Sequence, residues 1–214
     1  MTDVYLEVGS KRVFACALDW PGWCRAGKTA EDALEHLTDY APRYMPVAVH
    51  AGVRFAPSVA GSLKVVERVR GSATTDFGAP GAVSKADTAR LTPAAAARAV
   101  RLLEASWSVF DTIMRAAPAS LHKGPRGGGR DRDTMIEHVL EAEAMYARKL
   151  GVRIAPPTYE DDAAVAEERN TIAAVLRSAR AGAPLAGGGW PPRYATRRIA
   201  WHVLDHAWEC EDRS

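Results

Sequence analysis

Two histidines, His202 and His206, stand four residues apart in Trp201-His202-Val203-Leu204-Asp205-His206-Ala207-Trp208. On a helix that spacing puts both imidazoles on one face, about one turn from each other. One metal ion can then take a nitrogen from each ring. A third histidine, His138, falls on the apolar stripe of an earlier segment made of Met135, His138, Val139, Ala142 and Met145 or Tyr146. If the two helices pack side by side, three imidazoles converge and one coordination position stays open. Neutral imidazoles leave a divalent ion its full charge, and such a site lowers the pKa of a water or thiol enough to make a nucleophile at neutral pH. Imidazoles buried without partners each cost desolvation energy, and a metal satisfies all three together. The sequence therefore points to a divalent-metal site at His138, His202 and His206. Asp205, Glu209 and Glu141 stand one turn from these ligands. A carboxylate there orients an imidazole or moves a proton; the same positions also read as a solvated face carrying salt bridges. Cys210, one turn past His206, reads as core packing or as a fourth ligand.

Four helices from Thr92 onward must position these rings. The first is capped by Thr92 with Pro93 at its first position, and its buried seam is Val100, Leu103, Trp107, Phe110 and Met114. The second runs from about Arg132 to Leu150 and stops at Gly151. A third opens at Thr158-Tyr159-Glu160-Asp161, carries Val165, Ile172, Val175, Leu176 and Ala179, and stops at Gly182. The fourth follows Pro191-Pro192 and presents Ile199, His202, Val203, His206 and Cys210 on one side. Short connections predict an up-and-down four-helix bundle. In that topology the loops 117–130 and 182–192 share one end and rim the mouth of the site. Lys123, Arg126 and Arg130 in the first loop could attract an anionic substrate, or simply solvate it.

The N-terminal third reads differently. Residues 3–8 and 12–19 are strand-like and are separated by Gly9-Ser10-Lys11, which predicts a hairpin. Pro21-Gly22 breaks the chain, and Trp23-Cys24-Arg25 suits a brief third strand. Thr29-Ala30-Glu31-Asp32 is a capping-box start for a helix that Pro42 and Pro46 should kink or interrupt. Leu63 to Val69 suits a further strand, and His36 and His50 read as exposed. The predicted fold class is thus α+β, divided into 1–72, a linker at 73–90 in which Phe77 could dock against a domain, and 91–214. Asp76-Phe77-Gly78 copies a kinase tripeptide without any of its companions and carries no weight.

Two resemblances follow from these motifs. Leu18-Asp19-Trp20-Pro21-Gly22-Trp23-Cys24-Arg25-Ala26-Gly27, followed by Thr29 to Leu34, resembles the core of HicB-like domains, antitoxins that mask a small ribonuclease. The expected DNA-binding tail is absent, and a structural or dimerising appendage, or a binding module, is what the resemblance leaves. One histidine on the second helix and an H-x3-H pair on the fourth resemble the DinB/YfiT-like superfamily. Its related branches include thiol-dependent S-transferases and a mycothiol-dependent maleylpyruvate isomerase. That resemblance implies Zn²⁺ or Ni²⁺ held by His138, His202 and His206, and a small-molecule substrate with a low-molecular-weight thiol as partner. The tail Ala207 to Arg213 differs from the family's, so no substrate is named. The alternative is a non-enzymatic protein whose HicB-like part recruits a protein partner and whose metal is structural.

Bulk properties narrow the setting. The chain has 214 residues, 47% hydrophobic and 25% charged, with a net charge of +2. That charge gives nucleic acid little to bind, and no apolar run approaches the roughly 20 residues that span a bilayer. Cys16, Cys24 and Cys210 are odd in number and form no CxxC pair. They supply no disulfide framework and read as core residues of a reducing, cytoplasmic compartment. A homodimer is compatible with all of this.

Overall fold

The computed structural model describes residues 1–124 and 129–214. It is α+β, with eight α-helices and one four-stranded mixed sheet. Strands β1 (Thr2–Val8) and β2 (Val13–Ala17) form the expected hairpin, and β3 (Cys24–Gly27) pairs antiparallel with β2. Helices α1 (Ala30–Asp39), α2 (Ala41–His50) and the single turn α3 (Pro57–Ala60) then cross over to β4 (Leu63–Arg70). Strand β4 pairs parallel to β1, giving the order β3-β2-β1-β4.

Local chemistry explains the boundaries. Thr29 Oγ1 accepts from the Asp32 N–H, and the Asp32 carboxylate accepts from the Thr29 N–H, both at 3.1 Å, closing the capping box of α1. The chain breaks at Tyr40, between α1 and α2, so that Pro42 falls in the first turn of α2, where no N–H is needed. Pro46 lies inside α2 without ending it. One face of the sheet, with Val4, Leu6 and Ala15, packs on Leu37, Tyr44 and Trp23. Leu102 and Val109 of α5 (Pro93–Ala116) and Leu204 and Trp208 of α8 (Pro192–Arg213) belong to the same core, so the two ends of the chain share one interior.

The segment expected to be a plain linker holds a short helix, α4 (Ala73–Phe77), and a 3-10 turn at Lys85–Thr88. Two buried carboxylates tie it down. Glu7 on β1 accepts from Thr75 Oγ1 and from the N–H groups of Gly81 and Ala82, both at 2.9 Å. Asp87 meets Arg197 of α8 through two bonds of 2.6 and 2.8 Å. Phe77 does not dock: it is 88% exposed.

The long helices are α5 (Pro93–Ala116), α6 (Arg132–Lys149), α7 (Asp162–Ser178) and α8 (Pro192–Arg213). Each of α5 and α6 packs on both α7 and α8. Their directions correct the up-and-down expectation. At one end, the Leu91 N–H before α5 donates to the Arg180 carbonyl after α7 at 3.0 Å, and the Trp190 N–H before α8 donates to Lys149 O at the end of α6, also at 3.0 Å. At the other end, the His122 N–H donates to Arg213 O at the end of α8 at 2.8 Å. Helices α5 and α8 therefore run one way, and α6 and α7 both run the other. The cause is the connection at 150–161. Its Pro156-Pro157 forbids a tight helical return, and its Val152, Ile154 and Tyr159 lie along the helical core. The described parts of loop 117–130 and the loop 182–192 consequently sit at opposite ends, and among the described residues no single mouth is rimmed by both.

Candidate metal centre

Helices α6 and α8 pack against each other and bring the three histidines together. His138 lies two turns into α6; His202 and His206 lie mid-way and late in α8. The ring centroids are 4.7 Å apart for His202 and His206, 5.2 Å for His138 and His202, and 5.0 Å for His138 and His206. One nitrogen from each falls within 4.8 Å of the others, so the group can hold a metal ion. Three nitrogens on one tetrahedral zinc stand about 3.4 Å apart. Small ring rotations close that difference.

The protonation states suit a cation. Burial, reinforced by the neighbouring His206 and Arg130, pushes His138 down to about 4. Burial, with His206 and Arg198 beside it, holds His202 well below the ordinary imidazole range. Both rings are thus neutral at pH 7 with lone pairs available. His202 is 7% exposed, and its Nδ1 is buried without a hydrogen-bond partner among the described residues. A polar atom in that condition costs about 1–3 kcal/mol, and a cation between the rings would relieve it. His206 is oriented from behind. Its Nδ1 donates to Glu209 Oε2 at 3.1 Å, and Arg213 Nη1 donates to Glu209 Oε1 at 2.9 Å. The bond from His206 holds the Glu209 carboxyl below its usual range. An ionised Glu209 fixes the proton on Nδ1 and leaves the Nε2 lone pair free to bind a cation.

Compared with family models, with curated proteins and with solved structures, the chain matches none. Its site is therefore read from its own residues.

Of the carboxylates expected near the ligands, only Glu209 serves one. Asp205 pairs with Arg25 on β3 at 2.9 Å, which ties α8 to the sheet. Glu141 is exposed and, among the described residues, takes part in no hydrogen bond or salt bridge. Cys210 is fully buried in the helical core and stands outside the ligand group. Lys123 lies 3.5 Å from Asp131, and among the described loop residues Arg130 is the cation that lowers His138 and His202. Arg126 lies outside the described residues.

One wall of the site escaped the sequence reading. Tyr146, the partly buried member of the Met145/Tyr146 alternative, stands edge-on to His202 at 5.6 Å and is backed by Trp190 at 5.0 Å. The Arg198 guanidinium lies between the Tyr146 ring (5.4 Å) and the Trp201 ring (4.6 Å). One of its nitrogens, Nη1, is buried without a partner among the described residues. Its place four residues before His202 was the available signal, because it continues the 198, 202, 206 row along one helix face.

Proposed function

We propose that this protein is a divalent-metal-dependent enzyme that activates a low-molecular-weight thiol or a water for attack on a small electrophilic substrate. The convergence of His138, His202 and His206, with His202 Nδ1 buried and unpartnered, is the observation that carries the reading. Imidazole donors suit Zn²⁺ or Ni²⁺, and the DinB-like resemblance implies the same choice. A divalent ion held there supplies Lewis acidity, which makes a nucleophile of a thiol or water at neutral pH.

The protein's own groups do the rest. Glu209 holds the His206 tautomer and ring plane. Tyr146, Trp190 and Trp201 form an apolar wall that keeps bulk water from one side. Arg198 and Arg130 favour a substrate carrying negative charge. In this reading residues 91–214 form a DinB-like helical unit, and residues 1–72 form a HicB-like unit whose Pro-Gly turn and capped α1 support that resemblance. The cytoplasm is the compartment in which such a thiol would be reduced.

Elemental analysis of the native protein, purified without chelators, tests the proposal. One metal per chain is expected, lost in each of His138→Ala, His202→Ala and His206→Ala while the far-ultraviolet dichroism is retained. Protein that carries no metal and takes none up on titration with Zn²⁺ or Ni²⁺ rejects it. A second reading, a non-enzymatic protein with a structural metal, is favoured by one observation. Strand β4 lies at the sheet edge with Val65 and Val66 exposed, as a strand that recruits a protein partner would. Metal without turnover in a screen of thiols against electrophiles, together with a stable partner complex, would select it.

A further inference from the structure

Strand β3 has four residues and lies at the edge of the sheet, where it sets Cys24 directly opposite Cys16 of β2. The adjacent pair is tied by the Ala17 N–H donating to Trp23 O at 3.0 Å. Cys16 and Cys24 thus take the neighbouring non-hydrogen-bonded position. There facing Cα atoms stand about 4.5 Å apart and side chains approach most closely. Disulfides span Cα separations of about 4.4–6.8 Å. The two Sγ atoms are 2.7 Å apart, against about 2.0 Å for a sulfur–sulfur bond. Both residues are buried on the sheet face that carries Tyr5, Phe14 and Trp201. Burial pushes the Cys24 thiol well up, so that residue rests as a thiol rather than a thiolate. Cys210, the remaining cysteine, belongs to a different core.

We propose that Cys16 and Cys24 close to a reversible disulfide within the native fold, with a low-molecular-weight disulfide as oxidant. Opening of the short edge strand admits the oxidant. The thiolate of one cysteine attacks a sulfur of the small disulfide, whose S–S bond breaks and releases one thiolate. The second cysteine then attacks the mixed disulfide, forming the Cys16–Cys24 bond and releasing the second thiolate. The two protons lost by the cysteines end on the two small thiols; the protein is oxidised by two electrons and the small disulfide is reduced. The closed loop contains Pro21-Gly22. Gly22 has φ +89°, and a Cβ there would stand 2.6 Å from Leu204 Cδ1 and 3.2 Å from the Ala200 backbone. The bond therefore clamps the turn on which α8 rests, beside the helical stretch that carries His202 and His206.

The test equilibrates the full-length protein with mixtures of reduced and oxidised glutathione, followed by acid trapping, thiol alkylation and peptide mapping. Trypsin releases both cysteines in one peptide, Val13–Arg25. The expected result is a fall from three free thiols to one, with that peptide lighter by two hydrogens. The closure constant should be at least tenfold larger in native buffer than in urea, about 30 mV for this two-electron couple. Cys210→Ser should still lose two thiols, and Cys24→Ser should lose none. Three thiols surviving the most oxidising mixture, a bond that uses Cys210, or closure as favourable in urea as in native buffer would each overturn the proposal. The mapped wild-type peptide decides the matter even if a substituted chain fails to fold.

Discussion

Helix α8 carries two polar clusters five residues apart, and they are built on opposite plans. Around Arg197, every charge is answered. Asp87 takes two bonds from the guanidinium and two more from the Ser84 N–H and Oγ, and neither Asp87 nor Arg197 leaves an unpaired buried polar atom among the described residues. Around His202, two rings are kept neutral by burial and one buried nitrogen has no partner among the described residues. A closed cluster contributes by being costly to break, whereas an open one gains only when something else arrives. The first is structure and the second is a candidate ligand site, and variants can separate the two roles.

The largest effect is expected from Arg197→Met, which strands the Asp87 carboxylate in the interior. Loss of one partner of a buried pair costs about 3–5 kcal/mol, read as a drop in the urea midpoint with metal content per folded chain unchanged. His202→Leu should do the reverse. Metal binding is abolished, yet in chelator the variant is at least as stable as the parent, because an unsatisfied imidazole has been replaced by an apolar group. A loss of several kcal/mol there would show that the histidines are also a closed structural cluster. Glu209→Gln leaves the three rings in place but loosens His206, so metal affinity by competition titration should fall about 10–100-fold.

The smallest effect concerns a cluster of intermediate kind. Glu143 is met by Trp107 Nε1 and by Arg169, which also binds Asp111 at 2.8 Å. Beside it Glu168 is buried with neither carboxylate oxygen partnered among the described residues. Burial, then the nearby Glu143, raises Glu168 to about 8. A raised carboxyl favours the protonated folded state. Its contribution to stability is complete below about 4.5 and is lost as pH climbs through about 8. Glu168→Gln should flatten that part of the stability profile between pH 5 and 8, measured by denaturation at several pH values.

What could be read in advance was local. Thr29 and Thr92 announce their helices, Gly151 ends one, and the pairing of His202 with His206 follows from helical pitch. The convergence of the three histidines was legible because two share a helix face and the third sits where an apolar residue would be expected. Contacts made across the chain were not legible. Asp87 and Arg197 are 110 residues apart, and nothing in either neighbourhood marks them as partners. The helix directions were missed because the chain between α6 and α7 was taken as a short reversal. Pro156-Pro157 and the alternating Val152 and Ile154 were the signs of an extended strap.

Three of the cores meet on α8: Ile199, Val203 and Ala207 face one, Leu204 and Trp208 a second, and Trp201 a third. A rod gripped on three sides cannot roll about its own axis. The bearing of its two imidazoles is therefore decided by side-chain volume at places remote from the rings, and repacking those distant contacts would detune the histidine group without touching it.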